Sequence, residues 1–220
     1  MLFTDYLFEN VKHIWNDYLN HPFLKEMGEG TLDREKFKSY LIQDYLYLKE
    51  YAKVYSMALI KSESIKQMKF CQESINGILE DESANHIWYL KNFGENIEEL
   101  EKYKIKEANE NYTSYMKSIS LSGNLKEIMV SALPCAWSYY YIGKKLKEIY
   151  KDNMEGNFFE SWIECYSSEE YAFVAKKNID FVNELCKNID EIEKEKLKEI
   201  FIKASIYEMR FWDMAYEEVI

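Results

Sequence analysis

A cysteine directly after a proline is the residue pair in this sequence with the clearest chemical potential. Pro134 and Cys135 lie in the apolar stretch SALPCAWSYYYIG, which has the pattern of a buried helix. Because proline lacks a backbone N–H and clashes with the preceding turn, we expect the helix to kink or restart there. Cys135 would then lie in a first helical turn, where free N–H groups and the helix dipole favour a thiolate. The stretch alone also fits the commoner alternative, a buried and inert cysteine beside a structural kink.

Two carboxylates lie on helical faces that are otherwise apolar or aromatic. Asp44 shares a face with Tyr47 in YLIQDYLYLKEYA, and Glu208 lies among apolar and aromatic residues in FIKASIYEMRFWDMAYE. A carboxylate on a buried face needs a partner or a ligand. The structural alternatives are a lysine as partner for Asp44, and Arg210 or a residue of another helix as partner for Glu208. The functional hypothesis is that both belong to a site built from facing helices, as is usual in helical bundles.

Aromatic side chains lie one helical turn from each other and from the thiol. Tyr139 follows Cys135 by four residues, and Tyr166 follows Trp162 by four. Residues at this spacing share a helix face. Tyrosines often pack in a core with the hydroxyl at its edge, so a purely structural role is the alternative to lining a site.

Helical periodicity extends over nearly the whole chain. Apolar residues recur at steps of three and four, and seven Gly and two Pro are few for a turn-rich β protein. With 220 residues and no linker, we expect one domain, residues 1–220. The sequence predicts an all-α, multi-helix bundle of seven or eight helices. They cover residues 3–19, 33–62, 65–92, 97–119, 125–151 and 158–166, then a helix with capping-box spacing at Ser167 and Glu170 that ends near 187, and finally 191–219.

Charge and cysteine content narrow the class of function. A net charge of −11 argues against binding nucleic acid or an anionic membrane surface, which needs basic residues. No apolar segment reaches the length of a transmembrane helix, and the start MLFTDYLFENVKHIW lacks the basic region and cleavage site of a signal peptide. The cysteines at 71, 135, 165 and 186 have no paired spacing. We therefore expect a reduced, cytoplasmic protein.

A metal-dependent enzyme is the competing class. A di-iron carboxylate site needs Glu-x-x-His on two helices, and no glutamate precedes His13, His21 or His86 by three positions. Glu82 and His86 lie four residues apart, which is a weak metal signal on a helix that has a solvated pattern. Haem binding by His13 or His21 has no specific support, and no P-loop is present. The residues alone therefore give little support for a metal, a haem or a nucleotide.

Four blocks of sequence together resemble the thiaminase II (TenA) family, which has a haem-oxygenase-like helical fold. They are HPFLKEMGEGTLDREKFKSYLIQDYLYLKEYA, ALPCAWSYYYIG, WIECYSSEEY and YEMRFWDMAYE, and they occur in the family's order over essentially the whole chain. The QDYLYL element, the Pro-Cys-x-Trp step and the final YE…FWDMA are jointly specific. The resemblance implies an enzyme that hydrolyses an aminomethylpyrimidine, and thiamin, to the hydroxymethylpyrimidine used in thiamin salvage.

The resemblance also implies roles for individual residues. Cys135 matches the nucleophile, Glu208 the catalytic acid, and Asp44 the carboxylate that anchors the aminopyrimidine. The aromatic and phenolic lining of the site is matched by Tyr47, Tyr112, Tyr139 and Tyr166. The presence of Cys135 favours the bacterial, cysteine-dependent type, and the family's assembly implies a homotetramer.

Two other functions stay open at this point. The same scaffold hosts haem degradation and metal-dependent oxidases, so a related helical enzyme with another substrate is one alternative. The other is a non-catalytic protein that binds a pyrimidine or a partner, because aromatic residues form 16% of the chain and suit an interface. The division of proton transfer between Asp44 and Glu208 is also open.

Overall fold

The fold comes from a computed structural model that describes residues 1–217 and, except at 81–85, their side chains. Within these residues all regular secondary structure is helical, as the sequence predicts. The α-helices are α1 (Phe3–Asn20), α2 (Pro22–Glu29), α3 (Arg34–Ile60), α4 (Ile65–Asn76), α5 (Ser83–Asn92), α6 (Glu107–Ser122), α7 (Leu125–Ile149), α8 (Glu160–Ser167), α9 (Glu169–Leu185) and α10 (Glu191–Tyr216).

The first of two compact units consists of residues 1–32 and 130–216. In it, α1 packs against α2, α9 and α10. The Trp15 ring meets Trp137 edge to face at 5.3 Å between centroids and lies 6.0 Å from Phe201. Aromatic pairs at such distances stabilise a core beyond the area they bury. The face of α1 that packs in this unit is fully buried at Leu7, Val11, Trp15 and Tyr18.

The second unit consists of residues 33–129, with α3 at its centre. Helix α3 packs against α4, α5 and α6, which explains why its buried residues are spread around the helix. Phe37 on α3 meets Tyr89 on α5 edge to face, with 5.0 Å between the ring centroids. The first five residues of α7 belong to this unit and the rest of α7 to the first.

Helix α2 is an element that the sequence analysis did not predict. Helix α1 ends at Asn20, and Pro22 begins α2, because the first helical position needs no N–H donor. The His21 ring caps the helix: its Nδ1 accepts a hydrogen bond from the Phe23 N–H at 3.2 Å. Gly30 ends it with a φ of 75°, a left-handed conformation that glycine adopts without strain.

Two predicted continuous helices are interrupted in the structure. Residues 65–92 form α4 and α5 with a π-helical segment, Gly77–Glu82, between them. Residues 97–119 contain a 3₁₀ helix, Ile97–Lys102, followed by a break before α6. Periodicity alone misses both interruptions, because π and 3₁₀ turns change the spacing by less than one residue per turn.

Helix ends differ slightly from the predicted ones. The N-cap of α9 is Ser168 rather than Ser167, because the Ser168 hydroxyl accepts from the Tyr171 N–H at 3.0 Å. The last helix ends at Tyr216, and residues 218–219 of its predicted range lie outside the described residues. Over residues 1–217, none of the helices combines the length and apolar character needed to cross a membrane.

Candidate active site

All seven residues singled out by the sequence are buried, each with at most 4% of its surface exposed. They divide between the two units. The second unit holds Asp44, Tyr47 and Tyr112, and the first holds Cys135, Tyr139, Tyr166 and Glu208.

In the second unit, Tyr47 and Tyr112 form an aromatic contact between α3 and α6. Their ring centroids are 5.4 Å apart, and Tyr51 stacks on Tyr47 at the same distance. The Tyr47 hydroxyl donates to the Met116 sulfur at 3.9 Å. The structure therefore brings these two tyrosines together, one turn along α3 from Asp44.

A buried amide network joins α3 to α6 beside these tyrosines. The Asn109 side-chain N–H donates to the Gln43 carbonyl oxygen at 2.7 Å, and the Gln43 side chain donates to the Lys104 carbonyl at 3.0 Å. Gln43 Oε1 accepts from the Lys106 N–H at 2.9 Å. Because Gln43 precedes Asp44 and Asn109 lies one turn before Tyr112, the network holds the helix segments that carry both predicted residues.

The structure places a histidine next to Asp44, whereas the sequence analysis named a lysine as its structural partner. Asp44 Oδ2 lies 2.9 Å from His86 Nε2, and both side chains are buried. The sequence analysis gave His86 a weak metal signal on a solvated helix, and that interpretation of its surroundings is wrong, because His86 is 1% exposed. A pattern in the sequence could have predicted the burial of His86: Tyr89 and Leu90 follow it at steps of three and four, and all three residues are buried.

In the first unit, Cys135 lies inside a continuous helix. The predicted helix restart at Pro134 is wrong, because α7 runs from Leu125 to Ile149 with Pro134 inside it. Cys135 is the eleventh residue of this helix, so the positive end of the dipole and the free N–H groups are not at the thiol. Pro134 cannot form one of the backbone hydrogen bonds of the helix. The burial of Leu133 and Ala132, which precede it, stabilises the helix in spite of that loss.

Tyr139 and Tyr166 belong to one aromatic cluster. Their ring centroids are 4.9 Å apart; Tyr139 also lies 5.3 Å from Trp212, and Trp162 lies 4.5 Å from Tyr166. Gly143 allows this approach of α7 and α8, since a Cβ there would lie 2.7 Å from the Tyr166 carbonyl carbon. Buried aromatic rings of this kind, tilted against one another by 37–59°, suit contact with a flat heterocycle.

Glu208 is buried in α10, between Ser205 and Trp212 along the same helix face. The alternative partner on its own helix, Arg210, is exposed and lies 5.4 Å from the centre of the Tyr207 ring. Burial, and next the negative charge of Glu208, raise the pKa of Tyr18 well above its usual value. The Tyr18 hydroxyl therefore stays a donor, and it hydrogen-bonds to the Ser205 carbonyl oxygen.

Tyr18, Trp15 and Ser205 form a network next to Glu208 that the sequence analysis did not identify. The Trp15 Nε1–H donates to the Ser205 hydroxyl oxygen at 3.1 Å. Both aromatic residues come from α1 and Ser205 from α10, so no local pattern links them. Among the side chains that the structure describes, no three His, Cys, Asp or Glu residues are grouped closely enough to hold a metal ion.

Comparison with known proteins extends these observations. The sequence profile of the TENA/THI-4/PQQC family matches residues 8–218. The aminopyrimidine aminohydrolase of Helicobacter pylori is 40% identical over 217 residues, which cover 99% of this chain and 100% of that protein.

Solved structures agree with the profile. A TenA homologue from Pyrococcus furiosus has a TM-score of 0.88 at 26% identity, covering 98% of this chain and 100% of that one. A Shewanella denitrificans domain with a haem-oxygenase-like fold has a TM-score of 0.77 at 18% identity, covering 97% of this chain and 91% of that one, and shows the fold alone. The predicted all-α, haem-oxygenase-like fold is thereby confirmed. Since the profile spans nearly every residue, this chain belongs to the TENA/THI-4/PQQC family.

Proposed function

We propose that this protein is an aminopyrimidine aminohydrolase, or thiaminase II. It hydrolyses an aminomethylpyrimidine, and also thiamin, to a hydroxymethylpyrimidine in thiamin salvage. The observation that carries this proposal is the 40% identity, over nearly the full length of both chains, to an enzyme of that name. The burial of Glu208 and Asp44, at 2% and 3% exposed, supports it because carboxylates are rarely buried without a role.

Glu208 acts as the acid that activates the substrate. An aminopyrimidine is a poor electrophile until one of its ring nitrogens is protonated. Burial favours the neutral, proton-bearing form of a carboxyl group, so an acid in an apolar setting can supply that proton near neutral pH. The apolar neighbours of Glu208 along α10, among them Trp212, support this role.

Cys135 acts as the nucleophile through its thiolate. The sulfur bonds to a ring carbon, and the electron pair that it brings expels the amine, or the thiazole of thiamin, from the methylene carbon. Water then bonds to the methylene carbon and loses a proton, and the C–S bond breaks to return the thiolate. This splits one difficult displacement of amine by water into easier steps. The interior position of Cys135 in α7 means that a side chain or the substrate, rather than a helix terminus, favours the thiolate.

The remaining residues bind and orient the substrate. Asp44 accepts hydrogen bonds from the amino group of the pyrimidine, which fixes the direction of the ring. Tyr47, Tyr112, Tyr139 and Tyr166 supply aromatic surface to the substrate. Their ring contacts within each unit, at 5.4 Å and 4.9 Å, support a lining role.

Several finer features are part of the same proposal. The enzyme belongs to the cysteine-dependent type, needs no metal or organic cofactor, and works in the cytoplasm with residues 1–220 as one catalytic domain. It assembles as a homotetramer. Exposed apolar side chains such as Phe173, with 68% of its surface exposed, support that assembly, because subunit contacts would cover them.

The test is turnover of aminomethylpyrimidine and of thiamin by the purified protein, with product identified by mass spectrometry. We expect Cys135→Ser to lower the rate at least about a thousandfold, as removal of a covalent nucleophile does. Glu208→Gln should lower it by about a hundredfold or more and leave the fold intact. Intact mass after rapid quenching should show a pyrimidine adduct that is absent from Cys135→Ser. Near wild-type turnover by Cys135→Ser would refute the mechanism.

A further inference from the structure

Ser138 of α7 is a fully buried polar residue whose hydroxyl is available to a ligand. The residue is 0% exposed, and its Oγ forms no hydrogen bond with any residue that the structure describes. Other buried helical serines bond to the carbonyl one turn earlier: Ser62 donates to Ala58 at 3.0 Å, and Ser120 donates to Met116 at 2.8 Å. A buried polar group without a partner costs free energy, so the exception at Ser138 calls for a group that the hydroxyl binds.

Ser138 lies on the inward face of α7, beside the proposed nucleophile. Cys135, Ser138 and Ile142 follow one another at steps of three and four, and each is at most 4% exposed. Residues at such steps share a helix face. The opposite face reaches solvent at Lys144. The hydroxyl therefore lies on the same buried face as the thiol, one helical turn further along.

Helix α10 covers this face of α7. The Trp137 ring lies 6.0 Å from that of Phe201, and the Tyr139 ring lies 5.3 Å from that of Trp212. Trp137 and Tyr139 are the neighbours of Ser138 on its two sides, so both edges of the buried face contact α10. Because the outer face of α7 is exposed, α10 lies over the inward one.

The segment of α10 between those two contacts carries the proposed acid. Ser205 and Glu208 lie between Phe201 and Trp212 at steps of four, three and four, and all four residues are at most 2% exposed. They share one face of α10. The inward face of α7, with the thiol and the Ser138 hydroxyl, is therefore opposite the α10 segment with the Glu208 carboxyl group.

We propose that Ser138 is a substrate-binding residue: its hydroxyl donates a hydrogen bond to a ring nitrogen of the aminopyrimidine. The inference rests on the proposed function for the identity of the ligand. A pyrimidine ring has two nitrogens that accept hydrogen bonds. Glu208 protonates one of them in the proposed reaction, and the other needs a donor once the ring is buried. Since the hydroxyl is not committed to another residue, it binds the ring without first breaking a hydrogen bond.

The kinetic test removes the hydroxyl. Ser138→Ala should raise KM for aminomethylpyrimidine by about tenfold or more and keep kcat within about threefold, because the buried nitrogen lacks its donor in both the ground and transition states. Ser120→Ala is the matched control, since it makes the same change at a buried helical serine that already has a partner. Its KM should stay close to that of wild type. An unchanged KM in Ser138→Ala, or an equal rise in the control, would overturn the proposal.

Urea unfolding of the protein without substrate separates a ligand contact from a structural one. Ser138→Ala removes a buried hydroxyl that has no bond to lose, whereas Ser120→Ala removes one that is hydrogen-bonded. We expect the midpoint of Ser138→Ala to lie at or above that of wild type, and above that of Ser120→Ala. A midpoint below wild type would show that the hydroxyl stabilises the fold, and the substrate-binding role would be refuted.

Calorimetric binding of the product, hydroxymethylpyrimidine, identifies the contacted atom without turnover. Two pyridine analogues, each with CH in place of one ring nitrogen, are compared with it. Ser138→Ala should weaken binding of the pyrimidine by about tenfold and leave binding of one analogue unchanged, because that analogue lacks the accepting nitrogen. Equal weakening for all three ligands would overturn the inference. Wild-type protein that binds the product but does not hydrolyse aminomethylpyrimidine would refute the proposed function instead, and the binding comparison would still decide the role of Ser138.

Discussion

Replacement of Gly143 by alanine tests whether the proposed site depends on the close approach of α7 and α8. A Cβ at this position would lie 2.7 Å from the carbonyl carbon of Tyr166 and 2.8 Å from its Cβ. Ordinary carbon–carbon contacts are about 3.5–4.0 Å, so α8 must move by about 1 Å to accept the methyl group. Backbone cannot swing aside as a side chain can, and the movement therefore displaces Tyr166.

The Gly143→Ala substitution has two opposing effects on the free energy of unfolding and one effect on kcat/KM. Overpacking costs about 1–3 kcal/mol, and alanine in a helix interior returns about 1 kcal/mol relative to glycine. The free energy of unfolding should therefore fall by only about 0–2 kcal/mol. A misplacement of about 1 Å at an aromatic side chain of the site should lower kcat/KM by about ten- to a hundredfold.

The assay is steady-state hydrolysis of aminomethylpyrimidine beside urea unfolding of the same preparation. Gly28→Ala is the control in the same unit, because its Cβ would lie 2.2 Å from the ring of Tyr150, which is none of the proposed site residues. This control should lose stability and keep its kcat/KM. A folded Gly143→Ala variant with unchanged kcat/KM would refute the claim that the position of Tyr166 matters.

Two further predictions concern one residue in each unit. Asn109→Ala removes a donor from the buried Gln43 carbonyl, so the free energy of unfolding should fall by about 1–3 kcal/mol in urea titrations, and an unchanged midpoint would contradict this. Burial lowers the pKa of His21 below its usual 6.5, an effect that Asp213 partly opposes, so the unfolded chain binds the proton more readily. The contribution of the His21 side chain to the free energy of unfolding is complete above about pH 6.5 and is lost as the pH falls below that value. In His21→Asn, which keeps a capping side chain, the melting temperature should fall less steeply below that pH, and parallel curves for the two proteins would refute the assignment.

Much of the fold follows from patterns that lie close together in the sequence. The helical faces of α1 and α3 are set by apolar residues at steps of three and four, and burial of Trp15 and Tyr47 agrees with them. The sharing of a face by Asp44 and Tyr47 is equally local. The roles of these residues in a reaction came from the resemblance to a family, since spacing does not reveal a substrate.

Local rules failed where packing outweighs them. Pro134 predicts an interruption of α7, yet the helix continues because burial of its neighbours compensates for one missing hydrogen bond. Pro22 begins α2 between the predicted helices 3–19 and 33–62, at a first helical position that needs no N–H donor.

Helical class was determined by the sequence itself, because residue type and periodicity are local properties, and membership of a catalytic family was determined by motifs spread along the chain. The reactive side chains stay a prediction from the resemblance to that family. The partner of Asp44, the network of Trp15, Tyr18 and Ser205 beside Glu208, and the need for glycine at 143 were decided only by tertiary structure. Each depends on residues far apart in the chain meeting within a few ångströms. Such contacts come from the packing of whole helices, which no local pattern encodes.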